Sequence, residues 1–371
     1  MISVEADNAD DAWRELFQHF TVSSRVQESR DQQTRELLHV ATTINDPRQR
    51  LVFSRPMNPA FAVAEVIWIL AGFDSVSFLA FWNPRLRRFS DDGVRMHGAY
   101  GPRLGRNPNL DGRLAGKLRS ADSGNQLQDQ LKMASEALAH TPHSRQVVLQ
   151  IWDWSRDMPN PIARSKDVPC NIVSHLMARE GKLHWLQIMR SNDFIWGFPY
   201  NIVQFSTIQE IVAGWLGLDV GPYIHVSDSL HVYERHWDVL NKQLPQKTQI
   251  PANRADLRVN SQSKWEEEFR KVAICARNLT ELRSAKELLS AFRSSSVSLK
   301  GYQEWIALLT AEALRKRGHM SKAIEVVELA GPFWKASWQK WVTAGSPSQL
   351  QTNHRGLGSA QETEISIEAI G

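Results

Sequence analysis

Cysteine is nearly missing: Cys170 and Cys275 are the two thiols in 371 residues. That excludes a disulfide framework and a cysteine-rich zinc site, and it suits a reducing compartment. Long apolar runs are missing too. The longest, residues 61–72, is too short to cross a bilayer and contains Glu65. Residues 1–10 are acidic and polar, unlike a secretory signal, so the expectation is a soluble, intracellular protein. No internal repeat is visible. The histidines show no ligand-like spacing with cysteine or acidic residues, so no metal site is expected. A large excess of one charge is also absent. The formal net charge is +4 and the pI about 9.1, which permits anionic ligands without demanding nucleic acid.

What is present is a globular composition, with 42% apolar against 23% charged residues, and a length that suits one large domain or a domain with an appendage. In residues 11–22, Trp13, Leu16, Phe17 and Phe20 share one helical face. Residues 23–55 read as strands and a loop. Residues 59–72 read as a buried helix ended by Gly72. A basic, loop-rich stretch follows, with Arg85, Arg87, Arg88, Arg95 and Arg103, and then a helix over 125–139. Residues 146–152, 171–177 and 183–189 are short branched-rich runs that predict strands of one sheet. Residues 201–216 are apolar nearly all round, which predicts a buried helix. Residues 225–233 read as strand running into helix. From about 260 the pattern is helical, over 264–277, 280–293, 301–317 and 321–341. Residues 345–371 lack periodicity and read as a flexible tail.

Several polar residues stand where chemistry is expected. Cys170 follows Pro169 at a predicted strand edge, which suits either a nucleophile or a buried structural thiol. Glu65 lies inside an apolar helix. A carboxyl there either pairs with an arginine or keeps its proton through a raised pKa. Arg190 and Ser191 together suit a phosphate. Asn201 opens a buried helix, as an N-cap or as an amide that reads a base edge. His231 and Tyr233, two apart, face one side of a strand.

Taken in order, Glu65, Tyr100 in Gly-Ala-Tyr-Gly, Ser144-Arg145, Pro169-Cys170, Arg190-Ser191-Asn192-Asp193, Gly197-Phe198-Pro199-Tyr200-Asn201 and His231-Val232-Tyr233 resemble the thymidylate synthase family over roughly residues 25–240. The resemblance implies an α/β three-layer fold around a mixed sheet, working as a homodimer, with 5,10-methylenetetrahydrofolate as co-substrate and a dUMP-like nucleotide as acceptor. It implies that Cys170 attacks C6 of the base and activates C5. By the same resemblance Arg190, Ser191 and Arg145 hold the 5′-phosphate, with Arg145 donated across the dimer and Arg30 as a further ligand. Asn201 pairs with the O4/N3 edge, and His231 and Tyr233 hold the sugar 3′-hydroxyl. Glu65 moves protons, Asp193 contacts the folate, and Tyr100 and Trp82 line the folate side of the pocket. The chain then divides into an N-terminal helix or arm (1–24), a catalytic domain (25–262), a helical extension (263–344) and the tail.

Asn171 stands where the synthases carry histidine, and Ser229-Leu230-His231-Val232-Tyr233 is similar to the deoxycytidylate hydroxymethylases of bacteriophages. The segment that closes over folate in the synthases is not found. These features point to addition of water, giving a hydroxymethyl group. Asn201, where the cytosine enzymes carry aspartate, points to uracil. The expected activity is therefore dUMP 5-hydroxymethylation, with thymidylate synthesis as the second reading. A dCMP or CMP hydroxymethylase and a silent nucleic-acid-binding member follow. Gln146 replaces a second phosphate arginine, a gap that Arg30, Arg35 or Arg164 would have to fill. The implied location is the cytoplasm, that of a bacterial host where the gene is phage-borne.

Overall fold

The computed structural model describes residues 1–29, 32–106, 128–158, 165–242, 249–251 and 254–345. Arg30, Arg164 and all of the tail after 345 lie outside the described residues.

The chain opens with β1 (Ile2–Ala6), α1 (Ala9–Ser23), β2 (Arg25–Ser29) and β3 (Gln32–Ile44). Next come α2 (Pro59–Leu70), α3 (Val76–Trp82), a 3₁₀ turn over Pro84–Phe89, α4 (Tyr100–Arg103) and α5 (Gln130–His140). The centre holds β4 (Val148–Gln150), α6 (Trp154–Asp157), β5 (Asn171–Arg179), β6 (Lys182–Met189), β7 (Asn192–Asp193), α7 (Phe198–Leu216), β8 (Asp219–Tyr233) and α8 (Glu234–Lys242). The C-terminal helices are α9 (Gln262–Glu281), α10 (Ala285–Arg293), α11 (Lys300–Lys316), α12 (Met320–Val327) and α13 (Gly331–Thr343).

The strands form one mixed sheet in the order β1-β3-β8-β6-β5-β4, with β2 extending along β3 and β7 along β8. The central strand β8 is antiparallel to β3 and parallel to β6 and β7. The α/β class expected from the sequence is the class observed. α7 covers β6 and β8, α2 lies on α7, and α11 lies on α2, so helices stack outward from one side of the sheet. Apolar residues all round α2 and α7 follow from that sandwiching, since each is covered on opposite sides.

Four readings are corrected. Residues 1–24 are no arm, because Ile2–Ala6 pairs in parallel with Val40–Ile44 inside the sheet. The basic stretch after 72 is loop over 90–99 and also holds short helices the sequence reading lacks, with Ser75 capping α3 and Asn83 capping the following 3₁₀ turn. Residues 321–341 are two helices, broken at Gly331, which takes φ +73° just before Pro332. The C-terminal helices are no separate appendage. Phe53 meets Phe333 at 5.8 Å and Trp215 meets Trp265 at 4.9 Å, so they share one apolar core with the sheet domain. A buried ionic knot joins the parts: Glu210 on α7 takes Arg48 (3.0 Å), Arg50 and the backbone N–H of Leu257 (3.2 Å).

Candidate active site

Cys170 sits half-buried immediately before β5. Arg190, the residue after β6, holds this lead-in. Its Nε and Nη2 donate to the carbonyls of Pro169 and Val168 at 2.9 Å each, its backbone N–H donates to Cys170 O at 2.9 Å, and Nη2 lies 3.9 Å from Cys170 Sγ. A guanidinium thus stands beside a partly open sulfur. The inert, sealed thiol is the other one: Cys275 is buried, and burial pushes its pKa up to about 12.

Tyr100 opens α4 beside this thiol. Burial first, then the charges of Cys170 and Glu65, push its phenol well above the ordinary value, against the pull of a hydrogen bond to Asn171. Glu65 projects from α2. No arginine pairs with it among the described residues. Its neighbour is Gln204 of α7, its Oε2 is sealed from solvent without a hydrogen-bond partner, and burial raises its pKa to about 8. Of the two environments open in the sequence, the structure shows the one without an arginine, where burial favours the protonated carboxyl.

Asn201 is not an N-cap. α7 starts at Phe198 after Gly197, which leaves the amide inside the first turn, 7% exposed, with Nδ2 donating to Asn192 Oδ1 at 3.1 Å. Asp193 forms a tight turn, its Oδ1 accepting the N–H groups of Ile195 (2.7 Å) and Trp196 (2.6 Å). Trp13 of α1 braces that turn by stacking on Phe194 at 4.9 Å. His231 is the sheet partner of Asp193, and its ring meets Tyr233 edge-on at 5.6 Å, both half-exposed. Ser191 is half-buried between Arg190 and Asn192.

The remaining expected residues divide. Trp82 is a correction: it is 1% exposed and packs into the core under α3, with no face to offer a ligand. Arg145 is exposed before β4, its carbonyl accepting from His175 at 3.2 Å. Arg35 is no substitute for the missing phosphate arginine, because it pairs with Glu234 at 3.0 Å and lies over Trp237. Among the basic residues of 85–103, Arg103 is spent on buried Asp157 at 2.6 and 2.7 Å.

One residue escaped sequence reasoning. Arg55 is 6% exposed, both its Nη atoms lack hydrogen-bond partners, and its guanidinium lies 4.6 Å from the ring centre of Trp196. Burial lowers its pKa, while Tyr200 and Asp193 nearby oppose the shift. An unpaired buried cation is costly, which marks a site kept for an anion. The available signal was an arginine between apolar Leu51-Val52-Phe53 and Pro56. Among the described residues no cluster of His, Cys, Asp or Glu could hold a metal ion, and no helix is long and apolar enough to cross a membrane.

The family model described as thymidylate synthase matches residues 11–307. The chain belongs to the thymidylate synthase family. Within it, the chain is 39% identical over 210 residues to the deoxyuridylate hydroxymethyltransferase of Bacillus phage SP01, covering 55% of this chain and 51% of the relative. It is 35% identical over 210 residues to the deoxyuridylate hydroxymethyltransferase of Pseudomonas phage M6, covering 56% and 53%. The thymidylate synthase of Leuconostoc mesenteroides is 30% identical over 125 residues, covering 34% and 37%. The match thus spans about half the length of the hydroxymethyltransferase relatives.

Proposed function

We propose that this protein transfers a one-carbon unit to C5 of dUMP and releases 5-hydroxymethyl-dUMP. The balance is dUMP plus 5,10-methylenetetrahydrofolate plus water, giving 5-hydroxymethyl-dUMP plus tetrahydrofolate. The observation that carries it is the half-buried Cys170 thiol held by Arg190, with Tyr100 within electrostatic reach of both that thiol and the buried Glu65 carboxyl. The likeness to two phage deoxyuridylate hydroxymethyltransferases supports water, not hydride, as the final reactant.

In this reading the Cys170 sulfur bonds to C6, the ring electrons move toward C5 and O4, and C5 becomes the attacking carbon. Glu65, whose Oε2 proton has no other partner, shares it with the oxygen where charge develops. C5 would take the one-carbon unit as its bond to the folate nitrogen breaks, and the C5 proton would leave. Water would add its hydroxyl to the exocyclic carbon and give up its other proton, and breaking of C6–S would return the thiolate and restore the ring double bond. Asn201 presents one donor and one acceptor to the O4/N3 edge. Arg190 and Ser191 serve the phosphate, and His231 and Tyr233 the sugar.

The folate supplies, when bound, a carbon at the oxidation level of formaldehyde. The residues present fit it: Arg55 offers an unpaired cation, Trp196 a flat ring and Asp193 a fixed carboxylate to an anionic, aromatic ligand. A homodimer belongs to the proposal as well. Leu186, Ile188, Ile224 and Val226 lie side by side, half-exposed, on the sheet face away from α7, which suits a second copy. Exposed Arg145 would then reach the partner's phosphate site.

The test is tritium release from C5-labelled dUMP with methylenetetrahydrofolate, with mass spectrometry of the product. 5-Hydroxymethyl-dUMP without dihydrofolate is expected. Dihydrofolate formed in step with dTMP would replace this reading by thymidylate synthesis. No release alongside an active control synthase would favour a silent, nucleic-acid-binding member.

A further inference from the structure

A buried polar chain runs behind Asn201, away from the residues assigned to chemistry. Asn201 Nδ2 donates to Asn192 Oδ1 at 3.1 Å. Asn192 Nδ2 then faces His225 Nε2 at 2.8 Å and Ser227 Oγ at 3.2 Å, and His225 Nδ1 meets the Tyr223 hydroxyl at 2.9 Å. Asn192, His225, Ser227 and Tyr223 are all at most 2% exposed. Gly197 leaves the room: a Cβ there would collide with Asn192 Oδ1.

Each link has a direction. Asn192 Oδ1 is committed to Asn201, so Nδ2 is what faces His225, and Nε2 must accept. His225 is neutral, since burial lowers its pKa to about 3, and therefore carries its proton on Nδ1 and donates it to the Tyr223 oxygen. Turning the Asn201 amide over would set two oxygens against each other unless Asn192 also turned and the His225 proton moved to Nε2. We propose that Asn192, held by His225 and Tyr223, is the positioning residue that fixes the Asn201 amide in one orientation and so selects uracil over cytosine.

The chemistry is complementary. The N3/O4 edge of uracil offers a donor then an acceptor, and the N3/N4 edge of cytosine offers the reverse. An amide locked in one order pairs with one base and opposes the other, leaving buried groups unpaired in the mismatch. This inference rests on the reading of the cleft as a pyrimidine nucleotide site.

The experiment compares kcat/KM for tritium release from dUMP and dCMP, and the Kd of each nucleotide by calorimetry, in wild type and three variants. Tyr223→Phe removes the oxygen that accepts from His225, and Asn192→Leu removes the link. Each is expected to lower the dUMP-to-dCMP ratio by at least about tenfold. Asn192→Asp can only accept from Asn201 and is expected to keep the ratio within about threefold. Nitrogen NMR of labelled histidine is expected to place the His225 proton on Nδ1. If both nucleotides lose rate or affinity together while the ratio stands, the role is structural and the proposal is overturned. An Nε2–H tautomer, or a wild type indifferent to the base, also overturns it while leaving the transferase reading intact. A wild type that binds neither nucleotide removes both. Should Asn192→Leu fail to fold, Tyr223→Phe, which loses one hydroxyl, carries the comparison.

Discussion

Arg190 grips the two residues that lead into the thiol it faces: its side chain bonds the carbonyls of Val168 and Pro169 and ends 3.9 Å from Cys170 Sγ. Position and charge at the sulfur therefore come from one side chain. Arg190→Lys keeps the charge but loses the fork, and kcat/KM for tritium release is expected to fall at least about tenfold. Cys170→Ala is expected to abolish release while dUMP still binds by calorimetry. Ordinary turnover in that variant would remove the covalent route.

Glu65 makes a prediction in pH. Its pKa of about 8 in the folded protein lies above the ordinary 4.5. Below 4.5 both folded and unfolded chains hold the proton, and the group contributes no difference. Between 4.5 and 8 the unfolded chain gives it up first, so stability falls as pH rises, by up to a few kcal/mol, and the loss is complete above 8. Glu65→Gln is expected to flatten that part of the profile of Tm against pH. The same variant should lower turnover by roughly 10²–10⁴-fold, and wild-type activity should decline as pH passes 8. A wild-type rate that holds level through that range would remove the protonated-acid role.

Asn201→Asp exchanges the amide for a carboxylate, which suits an amino group and a protonated N3. The preference should move from dUMP toward dCMP by at least about 10²-fold in the ratio of kcat/KM values. An unchanged ratio would mean that this side chain does not read the base.

Arg55 tests whether an orphan cation is kept for a ligand. Arg55→Met removes a buried, unpaired charge, so Tm is expected to hold or rise. KM for methylenetetrahydrofolate should rise about 10–100-fold, with KM for dUMP little changed. A large fall in Tm with both KM values unmoved would make Arg55 a packing residue.

Glu210 joins α7 to Arg48, Arg50 and the Leu257 backbone, so its loss leaves Arg50 buried and uncompensated. Glu210→Ala is expected to destabilise the fold by about 3–5 kcal/mol in urea denaturation. A change below about 1 kcal/mol would show that the knot is solvated and slack.

Period and capping made much of this fold legible. α2, α7, β5 and β6 were visible because continuous apolar runs of the right length have few other solutions. β1 was hidden because only Val4 and Ala6 of its side chains are buried, and its pairing with β3 is invisible locally. Trp82 enters through the family resemblance, which does not say where a short helix turns its side chain, and α3 turns it inward. The site is legible through the ordered motifs from Glu65 to Tyr233 that resemble the thymidylate synthase family, and of these Glu65 alone is odd for its surroundings. Arg55, Asn192 and His225 were missed because their meaning lies in partners far away in sequence, or in the lack of any.

Side chains at Tyr223, His225 and Ser227 emerge on one side of β8 and are sealed. Past exposed Asp228, which pairs with His39 of φ +54°, the buried positions become Leu230 and Val232, and Ser229, His231 and Tyr233 stand half-open on the reverse side. One strand thus changes its buried side midway, from the locked polar chain to the His231–Tyr233 pair. Deleting a single residue midway would rotate everything downstream to the wrong side at once. Substitutions along β8 can therefore change one side chain at a time, while the spacing through that crossing point is fixed.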